Sequence, residues 1–506
     1  MTHPIFKILE QASKLGHTAI DREIGAKIKR QNGFNYDPKS LDPLYQTGEI
    51  RIVNGYDPRS RQVLRRLLST MSSAKNEARI SSWFHRSLAS PSWVGDSLGK
   101  RSGPPEAALF DGFTPSQAEA HAGLMHAPMG ILCGAPGTGK TYTIARLIKY
   151  WKGLGYSVKV CAPTGKAAQV LSNKVSCEVK TIHSMLGMTP GSMPEFGRDY
   201  PMLADIFVVD ESSMIDSEMM GWLLESMSEQ SGLVLVGDAY QLPPVGAGSP
   251  FLDIIRSGII KVFELKEVKR QAEDSGIISL AHALIRNKKP MMGNGVEFVR
   301  SPKLSELEAF ATNWWVENRG GDTKIIAPLR SRKFEASVLR INDSISEARF
   351  GSCDTLNTGD VVIFTRNDRK LNVVNGMEGV IAYSSPDSYH VISGDRRIVV
   401  PKGSIDGVLE RSYAITVHKS QGSEWDEVLL LLPTNADFMF QLRLVYTAVT
   451  RAKRKLTIVG NPYMLSRGKG WEVKRITMLP YLLNAQGLTN TIVDSSFMKT
   501  VWESIK

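Results

Sequence analysis

Between residues 107 and 262, short apolar runs alternate with stretches of helical periodicity. The runs fall at 130–133, 157–162, 206–209 and 233–236, each bounded by glycine, proline or polar residues. Uninterrupted apolar strands separated by amphipathic helices are what a parallel sheet covered on both faces requires, so the pattern predicts βαβ units. A second region of the same character runs from 262 to 329 and resumes at 413. Between them the pattern changes. Residues 355–410 carry short β-rich runs at 361–365, 379–383, 390–392 and 397–400, separated by Gly, Asn and Pro, as expected of a small barrel inserted into an α/β domain.

The first 94 residues mix amphipathic stretches with turn signals such as Gln31-Asn32-Gly33 and Asn54-Gly55, and they include an exposed-looking Trp83-Phe84-His85-Arg86 cluster. Residues 95–106 read as a Gly/Ser/Pro-rich linker. The expected α/β organisation is therefore an N-terminal accessory domain (1–94), the linker (95–106), and a first parallel-sheet domain (107–262) with a short insertion near 187–203. A second parallel-sheet domain (263–330 and 411–506) is interrupted by an insertion domain (331–410).

Composition adds a partner class. The 506 residues are 42% hydrophobic and 22% charged, a globular balance that excludes a mainly disordered or fibrous chain. Lys and Arg outnumber Asp and Glu by 62 to 51, a net charge of +11, which favours a polyanion without choosing between nucleic acid and membrane surface. The excess is uneven, with 17 basic and 10 acidic residues in the first 110. Cys133, Cys161, Cys177 and Cys353 are scattered with no CxxC pair, so neither a zinc site nor a disulfide framework is expected. The longest apolar runs, such as 428–432, are too short to span a bilayer, and residues 1–25 lack a continuous apolar segment. The expectation is a cytoplasmic protein without a membrane partner.

Gly134-Ala135-Pro136-Gly137-Thr138-Gly139-Lys140-Thr141 fits GxxxxGK[ST] between a strand-like run and a helix-like run. Such glycines turn backbone N–H groups around phosphate oxygens, and the helix N-terminus adds partial positive charge. Lys140 would neutralise the β- and γ-phosphates of ATP, and the Thr141 hydroxyl would join a Mg²⁺ shell. The run 206–209 ends in Asp210-Glu211. There Asp210 can hold the metal and Glu211 can orient and deprotonate the attacking water, although Asp-Glu also commonly caps a helix. The run 233–236 leads to Gly237-Asp238-Ala239-Tyr240-Gln241-Leu242-Pro243-Pro244, in which Gln241 could sense the γ-phosphate. Gln117, at a helix start, could read the edge of adenine or simply be solvated.

With these come Cys161-Ala162-Pro163-Thr164-Gly165-Lys166-Ala167-Ala168, Thr181-Ile182-His183-Ser184-Met185-Leu186-Gly187 and Leu265-Lys266-Glu267-Val268-Lys269-Arg270-Gln271. Further on stand Ala414-Ile415-Thr416-Val417-His418-Lys419-Ser420-Gln421-Gly422 and Val445-Tyr446-Thr447-Ala448-Val449-Thr450-Arg451-Ala452. In this order, over residues 107–462, the set resembles a superfamily 1 helicase of the RecD/TraA/Dda group. The resemblance implies two RecA-like motor domains, ATP and Mg²⁺ as cofactors, and 5′→3′ movement on single-stranded DNA with unwinding at single-strand/duplex junctions. It implies arginine fingers at Arg270 and Arg451, and Gly422 beside the nucleotide. Strand contacts are implied at Pro163, Thr164, His183, Thr416 and His418. A β-hairpin near 187–201 would offer Phe196 or Met193 as a wedge, and 355–410 would be an SH3-like barrel. A monomer is expected, in a bacterial cell or encoded by a phage or plasmid in one. Residues 1–106 match no motif of the group. Residues 1–94 are expected to engage duplex DNA or a replication or recombination partner. The rival readings are a single-strand-stimulated ATPase that remodels complexes with little unwinding, and a P-loop ATPase acting on protein.

Overall fold

The computed structural model describes residues 3–34, 38–56, 63–90, 111–175, 177–189, 191–267, 275–286, 288, 292–301, 303–368, 370–404, 407–467 and 475–484. Its first large sheet is built from β4 (Met129–Gly134), β5 (Val158–Ala162), β6 (Val179–Thr181), β7 (Ile206–Val209), β8 (Gly232–Gly237) and β9 (Lys261–Leu265). They lie in the order β6-β5-β7-β8-β4-β9, with every neighbouring pair parallel. The continuous apolar runs follow from burial on both faces. Ile131, Phe207, Val209 and Leu235 feed one core, while Leu132, Val208, Val234 and Val236 feed the opposite one.

The second sheet comprises β10 (Val296–Arg300), β11 (Thr323–Ala327), β17 (Ala414–Thr416), β18 (Trp425–Leu432) and β19 (Ala452–Gly460), in the order β10-β19-β18-β11-β17 and again all parallel. It too separates two cores: Ile326, Val428, Leu430 and Ile458 on one side, Ile325, Leu429, Leu431 and Val459 on the other. Helix Val338–Phe350 gives Val338, Ile341 and Ile345 to the second of these, so residues from 331 to the end of that helix belong with the second sheet rather than with the insertion. The insertion itself is a five-stranded antiparallel sheet of β12 (Val361–Phe364), β13 (Glu378–Ser384), β14 (Ser388–Ser393), β15 (Arg396–Pro401) and β16 (Leu409–Arg411). Its order is β15-β14-β13-β12-β16, around Val362, Phe364, Ile381, Val391 and Val400.

Three further expectations change. The N-terminal residues do build a small sheet of β1 (Ala19–Ile20), β2 (Ile50–Tyr56) and β3 (Val63–Thr70), with a core of Ile5, Ile8, Leu9, Ile28 and Ile50. Helix Met71–Ala89, however, packs against helix Ser217–Glu225, and Trp83 and Phe84 are fully buried with Ile131, Phe207 and Leu223. The cluster that reads as exposed is thus part of a core of the first large sheet, and Arg79–Glu225 and Arg86–Glu229 ion pairs border it. Residues 475–484, expected with the second sheet, lie instead on the first, with Leu479 and Leu483 in that same core and Met478 packed on Ala19 and Leu67. Finally, no paired strands occur among the described residues of 187–203. A Gly197–Tyr200 bridge closes a compact loop, and Met202 bridges to Met227. The linker 95–106 lies outside the described residues.

Glu77 sits where these pieces meet. Its carboxylate accepts from Thr18 Oγ1 at 2.6 Å and from Met478 N at 2.8 Å. Burial raises it to about 8 despite those donors, and the Asp253 charge adds to the rise. Below the ordinary carboxylate range Glu77 is protonated in both folded and unfolded chains, and folding carries no ionisation penalty. As pH climbs from about 4.5 through 8, the unfolded chain ionises first and stability falls. Glu77→Gln is expected to flatten that decline, read as a smaller loss of Tm between pH ~5.5 and ~8.5 than in the parent protein. An identical decline in the variant would assign the effect to other groups.

Candidate functional site

A parallel sheet presents its ligands at the carboxyl edge of its strands. On that edge stand the phosphate loop after β4, Pro163 and Thr164 after β5, His183 after the short β6, Asp210 and Glu211 after β7, and Asp238 to Gln241 after β8. Gly137 and Gly139 have φ of 80° and 83°, the left-handed region in which the loop must turn before helix Lys140–Gly153 begins. A Cβ at Gly134 would lie 2.6 Å from Thr138 Oγ1, so the loop also needs glycine for its close approach. Lys140 Nζ rests on the carbonyl oxygens of Gly134 (2.6 Å) and Ala135 (3.2 Å), the cradle's own interior.

Gln117 does not present its amide outward. Thr114 and Gln117 form a capping box on helix Pro115–His126: Gln117 Oε1 accepts from Thr114 N at 3.1 Å, and Nε2 donates to the Thr138 carbonyl at 2.7 Å. The glutamine is fully buried and braces the phosphate loop from behind. Glu267, beyond β9, accepts from Thr114 Oγ1, Ser116 N and Ser116 Oγ, and these donors, Ser116 first, hold its carboxyl below the ordinary range.

Asp210 Oδ1 accepts from Glu211 N at 2.9 Å. Burial pushes both carboxyls up, Glu211 to about 7 with the Asp210 charge adding to the rise, against the pull of Lys140 and Arg451. Glu211 has φ 50°, a conformation that costs a non-glycine residue about 1–3 kcal/mol and recurs at functional sites. A carboxylate and a hydroxyl, Asp210 and Thr141, are an oxygen donor set suited to a hard cation, whose charge would also favour ionised carboxylates. No cluster of three or more His, Cys, Asp or Glu side chains competes as a metal site among the described residues.

The second sheet closes the site. A cleft of about 210 Å³ lies between Ala135, Pro136 and Gly137 on one side and Ile277, Ile278, His282, Glu424 and Thr450 on the other. Helix Leu442–Val449 docks on the loop after β8. Tyr446 OH donates to Asp238 Oδ2 (2.8 Å), Leu242 N donates to Thr447 Oγ1 (2.9 Å), Arg443 Nη1 donates to the Ala239 and Gln241 carbonyls, and Gln421 Nε2 donates to the Leu242 carbonyl (3.3 Å). Burial and the Asp238 charge lift the Tyr446 phenol far above its ordinary value, fixing it as the donor. Gln241 is buried, and its Oε1 has no hydrogen-bond partner. Arg451 is buried too, donating from Nε to Thr447 O (2.9 Å), Nη1 to Ser423 O (3.0 Å) and Nη2 to Thr450 Oγ1 (3.1 Å). Arg270 lies outside the described residues.

Of the residues expected to contact a strand, Thr164 lies at the domain junction. Thr164 caps helix Gly165–Ser172 by accepting from Ala167 N, and Thr416 Oγ1 accepts from Lys419 N. A Cβ on Gly422 would meet Ala167 Cβ at 3.4 Å and Thr164 Oγ1 at 3.7 Å. Gly422, expected beside the nucleotide, therefore sits against Thr164 and Ala167, after β5 of the first sheet. His183 and His418 are exposed, and the protein around His418, with Arg475, lowers its pKa. Lys166 Nζ lies 3.7 Å from Glu378 of the insertion and 4.8 Å from the Trp425 ring centroid. Met193 projects into solvent, whereas Phe196 stacks on Tyr200 and packs on the core of the first motor.

Sequence reasoning missed Asp238, Arg443, Tyr446, Thr447 and Glu424. The signal for three of them was present: Arg443, Tyr446 and Thr447 follow i, i+3, i+4 spacing, one polar stripe on an otherwise apolar helix.

A phosphate loop facing a cleft between two parallel sheets defines a P-loop ATPase of two-motor architecture. Residues 112–301 match the family described as an AAA domain, and residues 411–459 match the UvrD-like helicase C-terminal domain. The chain is 30% identical over 411 residues to the RecBCD enzyme subunit RecD of Mycolicibacterium smegmatis, covering 71% of this chain and 73% of that one. It belongs to the RecD family of superfamily 1 helicases. It is also 30% identical to the ATP-dependent RecD2 DNA helicase of Deinococcus radiodurans, of which it spans 54%, and 28% identical to the conjugal transfer protein TraA of Agrobacterium fabrum, of which it spans 31%. Among solved structures, a Bacteroides Pif1 helicase with ADP-AlF3 and single-stranded DNA aligns over 71% of this chain and 95% of its own at 19% identity and TM-score 0.47.

Proposed function

We propose that the chain is an ATP-dependent DNA helicase that moves 5′→3′ on single-stranded DNA and opens duplex in replication, recombination or repair. The observation that carries this reading is the shared seam. The charges of Lys140 from the first motor and Arg451 from the second both act on Glu211, and Gly422 of the second lies so near Thr164 of the first that an added Cβ would stand 3.7 Å from its Oγ1. Closing the cleft on ATP therefore changes the strand path, which is the differential contact that directed motion needs.

In this scheme Lys140 and the loop 134–141 hold the phosphates, and Glu211 takes the proton of the attacking water. Arg451 and Arg270 stabilise the transferring phosphoryl. Thr141 and Asp210 would hold Mg²⁺, which would supply charge neutralisation at the phosphates. Gln241, with its free amide oxygen buried beside the seam, senses the nucleotide state. Pro163, Thr164, His183, Thr416 and His418 line the strand path, and Met193, the exposed one of the two wedge candidates, meets the junction. Residues 361–411 act as an SH3-like cover over the strand, and the basic N-terminal region recruits duplex DNA or a partner. Among the described residues no helix is long and apolar enough to cross a membrane. The reading places a monomeric motor in the bacterial cytoplasm, supported as to compartment by the bacterial RecD and TraA relatives.

The test is a pair of partial duplexes with either a 5′ or a 3′ single-stranded tail. ATP-driven strand separation is expected with the 5′ tail only. Single-strand-stimulated hydrolysis without separation would favour a remodelling ATPase, and hydrolysis indifferent to single strands would overturn a nucleic-acid motor altogether.

A further inference from the structure

The loop leaving β8 is gripped twice. Its first half, 238–242, is held by Arg443, Tyr446 and Thr447 of the second motor. Its second half is held by Arg475, whose Nη1 donates to the carbonyls of Gly246 (2.7 Å) and Gly248 (2.6 Å) and whose Nη2 donates to that of Pro244 (2.6 Å). One planar guanidinium thus gathers three loop carbonyls, a geometry that a lysine ammonium on its flexible stem does not reproduce.

We propose that Arg475 is a positioning residue for the motor, the fixed anchor of loop 244–248 against which the second motor works when it moves 238–242. The inference rests on the helicase reading given above.

Arg475 is itself well seated. Ile476 O accepts from Thr18 N and Ala19 N, Ile476 N donates to His17 Nδ1 at 2.8 Å, and Met478 N donates to Glu77. Gly16, at φ 88°, lets its backbone lie flat on the guanidinium, because a Cβ there would come within 2.4 Å of Cζ. Gly248 N donates to Gly16 O at 2.9 Å and Ser217 N to Ala247 O at 3.0 Å, so the second half of the loop is bound to the N-terminal region and to the first motor together. Pro243 and Pro244, with fixed φ, form a stiff joint between the two grips. Of the charged groups that act on Arg475, Asp216 and Asp253 favour its charge and Arg443 opposes it, while Arg475 in turn depresses His418 in the strand groove.

With the anchor gone, hydrolysis should continue while its stroke is dissipated in a slack loop. Arg475→Ala is expected to keep single-strand-stimulated ATP turnover within about twofold and to lower the base pairs opened per ATP about tenfold, with Arg475→Lys intermediate. A merely structural role would lower both activities in parallel through loss of folded protein and leave the ratio intact. That unchanged ratio would overturn the proposal. If the alanine variant does not fold, the same ratio in Arg475→Lys and Arg475→Gln decides the matter. A parent protein that opens no duplex would overturn the helicase reading and this inference with it, whereas normal coupling in the parent and an unchanged ratio in the variants would overturn this inference alone.

Discussion

Glu211→Gln is expected to lower single-strand-stimulated ATP hydrolysis by about 10²–10⁴-fold while leaving nucleotide affinity within a few-fold, the signature of losing a general base rather than a binding group. The substitution is clean because the local fold does not depend on the charge. Residue 211 holds φ 50° through its own N–H to Asp210 Oδ1, its carbonyl to Met214 N at 3.0 Å, and the Ser212 Oγ to Val209 O bond beside it. A glutamine fits the same backbone and volume. It removes only the capacity to take a proton and one negative charge next to Asp210. Equilibrium binding of a fluorescent ATP analogue, measured beside steady-state turnover, separates the two effects. Turnover within about threefold of the parent would remove Glu211 from the chemistry.

How much of this site could be read from sequence depends on how local its causes are. The phosphate loop was legible because its glycines answer a local need: two positive φ angles and a close approach at Gly134, between a strand and a helix that announce themselves by pattern. The two parallel sheets were legible for the same reason, since burial on both faces writes a continuous apolar run into each strand. Trp83 and Phe84 were not. Their stripe on helix Met71–Ala89 is covered by Leu223 and Phe207, far along the chain, and amphipathic spacing does not say what covers it. The same separation hid Gln117, whose amide is consumed by Thr138, and Gly422, which meets Thr164 and not the phosphate loop. The longest reach is that of Arg475, which follows every recognisable motif and touches carbonyls more than two hundred residues upstream.

The arginine at the other face of the seam should be as sensitive as Glu211, for a different reason. Arg451→Ala is expected to lower hydrolysis by about 10³-fold, within the range that a phosphoryl-stabilising arginine supplies. Three of the five guanidinium N–H groups are tethered to Thr447 O, Ser423 O and Thr450 Oγ1, which fixes the plane of the fork and leaves two donors and the full charge for a phosphate. That charge already acts on Glu211 across the cleft. Arg451→Lys should be nearly as damaging, because a lysine can serve the tethers or the phosphate but not both, in contrast to the graded response expected at Arg475. Removing the side chain also leaves the Ser423 carbonyl without its donor, while Thr447 O keeps Thr450 Oγ1, at a cost of about 1–3 kcal/mol of stability. Thermal unfolding should therefore show a modest loss in both variants against a collapse of turnover. If both instead hydrolyse ATP within about threefold of the parent, the charge at the transferring phosphoryl comes from elsewhere, and Arg451 serves only to tie the helix Leu442–Val449 to Ser423.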